Sequence, residues 1–271
     1  MELSDLCGVH EGKPAVIIGS GPSIKDTPLH LLDTPDVVSI GVNRAYKPAF
    51  GLKRLDYLCF SDPTIVKDIV AHAHIHHIVN ELKPTWLWRN AMKKFEPIGI
   101  VDHVQSFITQ PIIYYDDCHS CRRKSQIAEI PLRGMETKAF YEGRASVPHV
   151  PSGNDLLPGL VFHWTTTLTA LQVALMVGCD PIILVGVDHG QDKPEERHCF
   201  NDEGGGELKH VAENIREVEG KDYPLETTND QEFNKLLDMF HREWCGQRSL
   251  FNCSPRSNLE SWRRAKLEDV L

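Results

Sequence analysis

The chain has 271 residues, is 41% hydrophobic and 25% charged, and carries a formal net charge of −9. This composition supplies a full core and excludes wholesale disorder. Its acidic excess argues against a nucleic-acid partner, which calls for clustered Lys and Arg. No window of about 18 apolar residues exists, so no membrane-spanning helix is expected. Residues 1–7, Met-Glu-Leu-Ser-Asp-Leu-Cys, lack the basic-then-apolar pattern of a signal peptide. A cytoplasmic location is therefore expected, with the eight Cys as free thiols.

The first predicted strand is residues 15–18, Ala-Val-Ile-Ile, which breaks into Gly19-Ser20-Gly21-Pro22-Ser23. A strand ending in a Gly-rich turn that opens a helix suits a phosphate. The glycines let backbone approach a ligand, and the first helical N–H groups point at the anion. Pro22 fits a first helical position. No third Gly completes a dinucleotide fingerprint, and the competing reading is a tight turn without a ligand. Residues 24–32 read as a short helix. Residues 37–42 form a second strand ending at Asn43-Arg44, and residues 56–60 a third, running into Ser61-Asp62-Pro63.

Residues 98–100 and 112–115 read as strands, and about 116–151 as an irregular insertion. Residues 165–177 form a helix that is apolar almost all round, started by threonines and ended by Gly178. Residues 181–187 form a central strand delivering Asp188-His189-Gly190. A lid-like loop follows at about 190–206, then helices at 208–218 and 231–244, a strand at 249–252, and a helix or tail from Asn258. Strands alternating with helices predict a single α/β domain over 1–271, Rossmann-like, with a mostly parallel sheet, flanking helices and an inserted irregular middle segment.

In such sheets ligands bind beyond the carboxyl ends of the strands. Four strand ends carry polar groups: Gly19-Ser20-Gly21, Asn43-Arg44, Ser61-Asp62 and Asp188-His189. If parallel, they meet on one rim. There the N–H groups near Ser20 to Ser23 hold a phosphate, and Asn43 bonds a ribose or base edge. Arg44 offers phosphate a fork of donors. Asp62 and Asp188 bind ribose hydroxyls, hold Mg²⁺ or act as base. His189 and His198 are general acid–base candidates, against the alternative of turn-capping or exposed side chains. Cys118-His119-Ser120-Cys121 lacks the second pair a zinc site needs. The run His72-Ala73-His74-Ile75-His76-His77 lacks an acidic partner in register, so no functional metal site is assigned.

In this order, Gly19-Ser20-Gly21-Pro22-Ser23, Gly41-Val42-Asn43-Arg44-Ala45 and Ser61-Asp62-Pro63 resemble the MptE-like domain family. So do Thr169-Ala170-Leu171-Gln172 through Gly178, Ile183-Leu184-Val185-Gly186-Val187-Asp188-His189, and Phe251-Asn252-Cys253-Ser254-Pro255 with Leu259-Glu260. That family is named for archaeal 6-hydroxymethylpterin diphosphokinases and includes domains of motility-associated and polysaccharide-locus glycosyltransferases. The pattern also resembles bacterial CMP-sialic acid-dependent sialyltransferases, whose Gly-rich turn and Asn, here at Asn43, contact the nucleotide. Their catalytic His has no counterpart in Tyr223-Pro224-Leu225-Glu226-Thr227. Where the diphosphokinases carry Asp-Leu-Asp-Gly for Mg²⁺, this chain has Ser61-Asp62-Pro63-Thr64.

The resemblance implies a nucleotide-dependent transferase, foremost a glycosyltransferase-like enzyme using a nucleotide-activated sugar. Gly19 to Ser23, Asn43, Arg44 and Asp62 then bind the nucleotide, and Asp188, His189 or His198 handles the acceptor proton. A Mg²⁺-dependent diphosphokinase and a non-catalytic nucleotide-binding module are the alternatives. The expected partners are a nucleotide donor and an acceptor, with homo-oligomers left open.

Overall fold

A computed structural model describes residues 3–60, 63–71, 73–89, 100–115, 166–188, 248–260 and 262–271. Its strands are β1 (Ala15–Ile18), β2 (Val38–Val42), β3 (Tyr57–Phe60), β4 (Thr85–Arg89), β5 (Ile112–Tyr115), β6 (Ile182–Val185), β7 (Leu250–Asn252) and β8 (Arg263–Arg264). They form one sheet in the order β5-β4-β3-β2-β1-β6-β7-β8. Every neighbouring pair is parallel. The fold is α/β and Rossmann-like, as the alternating pattern predicts. The chain winds outward from β1 to β5, then returns with β6 on the other side of β1. That reversal creates a topological switch point between β1 and β6.

Strands β1, β2, β3 and β6 are almost wholly apolar because both faces are covered. Ala15, Ile17, Ile40, Cys59, Ile182 and Leu184 point into one layer. Val16, Ile18, Leu58, Phe60, Trp86, Trp88, Ile183 and Val185 point into the other. The helices are α1 (Pro63–Ala71), the single turn α2 (Ile75–His77), α3 (Ile100–Phe107) and α4 (Thr166–Met176). Leu168, Leu171 and Leu175 of α4 join the first layer. Ile65, Val66 and Ile69 of α1 and Val104 of α3 join the second. Residues 166 to 175 of α4 are all buried, in line with their near-continuous apolar pattern. Gly178 ends this helix at φ +88°. The Cys179 N–H donates to the Ala174 carbonyl at 3.0 Å and the Gly178 N–H to the Leu175 carbonyl at 3.1 Å, a Schellman closure.

Four features depart from the sequence reading. Residues 24–32 are not one helix but lie in two 3₁₀ turns, Pro22–Asp26 and Leu29–Leu32. The break falls at extended Thr27, and Pro28 has no N–H to continue the ladder. Ile100 opens α3 rather than closing a strand. The C-terminal segment holds β8 and a 3₁₀ turn, Leu267–Asp269. The sequence reading also passed over β4 and α1. The insertion at 116–151, the lid at 190–206 and the helices at 208–218 and 231–244 lie outside the described residues.

Candidate functional site

Ile18 at the end of β1 pairs in register with Gly41 of β2 and Val185 of β6. The segments that follow therefore leave the sheet side by side on one rim. The β1 turn and the β6 turn then continue to bond each other beyond the strands. The Gly19 N–H donates to the Val185 carbonyl at 2.8 Å, and the Gly21 N–H to the Gly186 carbonyl at 2.7 Å. A Cβ on Gly19 would lie 2.2 Å from the Gly186 oxygen. One on Gly21 would lie 2.7 Å from Asp188 Oδ2. The sequence reading assigned these glycines to the approach of a ligand. In the structure, contact between the two turns is itself enough to require them.

Asp188 completes this contact. Its Oδ2 accepts the Ser23 N–H at 2.5 Å and its Oδ1 the Ser23 hydroxyl at 2.6 Å, across 165 positions of sequence. Gly21 offers the following 3₁₀ turn no side-chain cap, and Pro22 occupies its start. The Asp188 carboxylate supplies the missing acceptor. Asp188 thus engages the Ser23 N–H, one of the N–H groups that the sequence reading assigned to phosphate. Burial raises the Asp188 pKa above the ordinary carboxylate range, opposed by the two Ser23 hydrogen bonds and then by Arg256.

Asn43 follows β2 directly, in the left-handed region at φ +50°. Asn tolerates that conformation better than most residues. Its Oδ1 accepts the Thr166 hydroxyl at 2.9 Å, which ties the end of β2 to the start of α4. Arg44 turns away from solvent, its side chain 8% exposed and its Nε 3.6 Å from Asp68 Oδ1 on α1. The same carboxylate faces Lys47 Nζ at 3.7 Å and accepts the Tyr46 hydroxyl. Burial foremost, and then the Asp68 hydrogen bond, push the Tyr46 pKa up. This geometry directs Arg44 to a buried ion pair rather than toward a ligand.

Asp62, His189 and His198 lie outside the described residues, as do Cys118, His119 and Cys121. Of the histidine run, His74 packs against Tyr46, His76 against Phe107, and His77 Nδ1 sits 3.0 Å from Glu81. Among the described residues no group of three or more His, Cys, Asp or Glu side chains gathers around a metal-sized space. A cleft of about 330 Å³ lies beside the β1 turn, lined by Ile24, Lys25, Leu29, His30 and Phe50 among others. It contains none of Gly21, Asn43 and Asp188, and the polar rim rather than this cleft is the candidate site.

Three contributors were given no role at the rim by the sequence reading: Thr166, the partner of Asn43; Gly186, whose carbonyl accepts the Gly21 N–H; and Ser254, whose hydroxyl accepts the Val187 N–H. Gly186 was legible in principle, since a Gly ending a buried strand often marks a positive φ, here +63°.

No family model matches the chain, and no curated protein does. Solved structures do. The MAf glycosyltransferase of Magnetospirillum magneticum AMB-1 aligns with a TM-score of 0.55 at 16% identity, over 99% of this chain and 38% of that one. The chain thus spans well under half of that protein. The monofunctional α-2,3-sialyltransferase Cst-I of Campylobacter jejuni aligns with a TM-score of 0.52 at 14% identity, over 96% of this chain and 82% of that one. The sialyltransferase CstII of the same organism, in complex with the substrate analogue CMP-3FNeuAc, gives 0.51 at 14%, over 96% and 88%. At these identities the likeness is one of fold, and the fold is shared with glycosyltransferases. Among the described residues no helix is long and apolar enough to cross a membrane.

Proposed function

We propose that this protein is a nucleotide-dependent transferase of the glycosyltransferase type, moving a sugar from a nucleotide donor to an acceptor. One observation carries the reading: at the β1/β6 switch point, the Gly-rich turn and Asp188 meet on the rim that Asn43 also reaches. Open parallel sheets bind their ligands at such a point. The likeness in fold to transferases, one of them solved with CMP-3FNeuAc, supports the choice of donor class.

In this proposal Asn43 and the Gly19 to Ser23 turn seat the nucleotide, and Asp62, which follows β3 in sequence, takes part in binding it. Asp188 takes a donor hydroxyl or sits beside the acceptor. His189 and His198, which follow β6, are the candidates for the acceptor proton. Arg44 contributes through Asp68 by holding the turn after Asn43.

Thermal-shift measurement against CMP, UDP, GDP, ADP and their sugars tests the binding half. A true donor at 100 times its Kd stabilises by about 2.7 kcal/mol, which raises Tm by roughly 5–10 °C. Gly21→Val is expected to abolish that shift while the protein stays folded. Absence of any shift across the panel overturns the proposal. Sugar transfer from the stabilising donor tests the catalytic half. Binding without transfer points to a non-catalytic module, and Mg²⁺-dependent AMP release with a hydroxymethylpterin to a diphosphokinase.

A further inference from the structure

The block from the end of β7 onward, Asn252 to Leu259, has no role in the proposed chemistry, yet its polar side chains are buried and hydrogen-bonded next to the rim. Asn252, Ser254 and Ser257 are all buried, with Ser254 fully inaccessible. The Cys253 N–H extends the β6–β7 pairing to the Leu184 carbonyl at 2.8 Å. Asn252 Oδ1 accepts the Ser254 N–H at 3.0 Å. Its Nδ2 donates to Ser257 Oγ at 3.2 Å and to the Leu259 carbonyl at 3.3 Å. Arg264 donates to the Ser254 and Ser257 carbonyls. The loop is therefore built to hold the Ser254 side chain in one place.

What Ser254 meets is a single peptide unit, the one joining Gly186 to Val187. The N–H of that unit donates to Ser254 Oγ at 3.0 Å. Its carbonyl accepts the Gly21 N–H at 2.7 Å. The unit is clamped from both sides, by the C-terminal block and by the Gly-rich turn. Gly186 stands at φ +63°, next to a peptide plane that a glycine leaves free to rotate. Without the hydroxyl, the buried Val187 N–H loses its acceptor, and rotation of the plane is the available relief. Rotation withdraws the carbonyl from Gly21.

We infer that Ser254 is a positioning residue of the nucleotide cleft: its hydroxyl fixes the Gly186–Val187 peptide plane and so docks the β6 turn against the Gly-rich turn. Only the effect on nucleotide affinity rests on the proposed function; the docking itself does not.

Amide-resolved hydrogen exchange tests the docking directly. In the unmodified protein the Gly21 and Val187 amides should open together, with matching protection, because one plane holds both. In Ser254→Ala, protection of Gly21 should fall at least about tenfold while Val16 and Ile17 of β1 keep theirs. Ser254→Cys retains a side chain of similar size but accepts hydrogen bonds weakly, so it repeats the test with packing conserved. Affinity for the stabilising nucleotide should fall with Gly21 protection in both variants. Unequal opening of the two amides in the unmodified protein, or unchanged Gly21 protection in either folded variant, overturns the inference. A protein that binds no nucleotide but shows the exchange pattern loses the proposed function and keeps the positioning role.

Discussion

The two ends of the parallel sheet are held by contacts between different kinds of element. At the amino ends of the strands, polar contacts tie the segment before β1 to the end of α4 and to the start of β3. The segment before β1 donates from Gly8, His10 and Gly12 to the carbonyls of Met176, Val177 and Gly178 at the end of α4. His10 Nε2 meets the Tyr57 hydroxyl at 3.0 Å, and Asp56 accepts from Ser39 and Arg54. At the carboxyl ends, the turns after β1, β6 and β7 are tied by bonds between residues far apart in sequence, through Asp188 and Ser254. One end uses its polar groups to finish a helix and a strand. The other brings distant turns to one place, which is what a binding site requires.

That contrast predicts that changes at the rim alter both stability and nucleotide affinity, whereas changes at the base alter stability alone. The largest effect is expected for Gly19→Ala, whose Cβ would meet the Gly186 backbone oxygen at 2.2 Å. Urea unfolding should show a loss of about 3 kcal/mol, since backbone cannot move aside as a side chain does. Asp188→Ala leaves the Ser23 N–H and hydroxyl without their acceptor, and should cost about 2 kcal/mol together with the nucleotide-dependent Tm shift.

Gly12→Ala serves as the counterpart at the base. Gly12 stands at φ +73° with nothing near its missing Cβ, so only backbone strain of about 1 kcal/mol is expected, with no change in nucleotide affinity. An affinity change there breaks the comparison.

The smallest effects are pH slopes, and they have opposite signs at the two ends. Burial raises the Asp188 pKa, so the folded state holds its proton longer than the unfolded chain. Its contribution to stability falls as pH rises from the ordinary Asp range into the raised one, and Asp188→Asn should remove that slope. Burial lowers the His10 pKa, against the pull of Asp56. Its contribution is complete above the ordinary imidazole value of about 6.5 and falls as pH drops below it. His10→Gln should flatten the stability curve there. Unfolding midpoints between pH 3 and 8, roughly the span of both groups, check the two signs.

Individual residues show how much of this was legible. β1, β2, β3, β6 and β7 were readable because buried parallel strands are short β-branched or aromatic runs bounded by turn formers. β4 was missed although Thr85-Trp86-Leu87-Trp88-Arg89 is rich in strand formers; its Trp rings reveal their role only when seen packed on Phe60. α1 begins with Pro63 and carries Ile65, Val66 and Ile69 on one face, a helical signal hidden behind the Ser61-Asp62 motif before it. At the rim, Gly19, Gly21, Asn43 and Asp188 could be listed as strand-end residues. Their mutual contacts could not.

Local sequence by itself determined the central strands β1, β2, β3 and β6, that both of their faces are buried, and which polar residues follow them at their carboxyl ends. Those features follow from backbone preference and hydrophobic pattern, which act over a few residues. Only the tertiary structure decided that Asp188 caps the turn at Ser23, that Arg44 pairs with Asp68, and that Ser254 grips the Gly186–Val187 peptide. Each of these bonds joins groups that strand order alone makes neighbours, and short-range preference carries no information about that order.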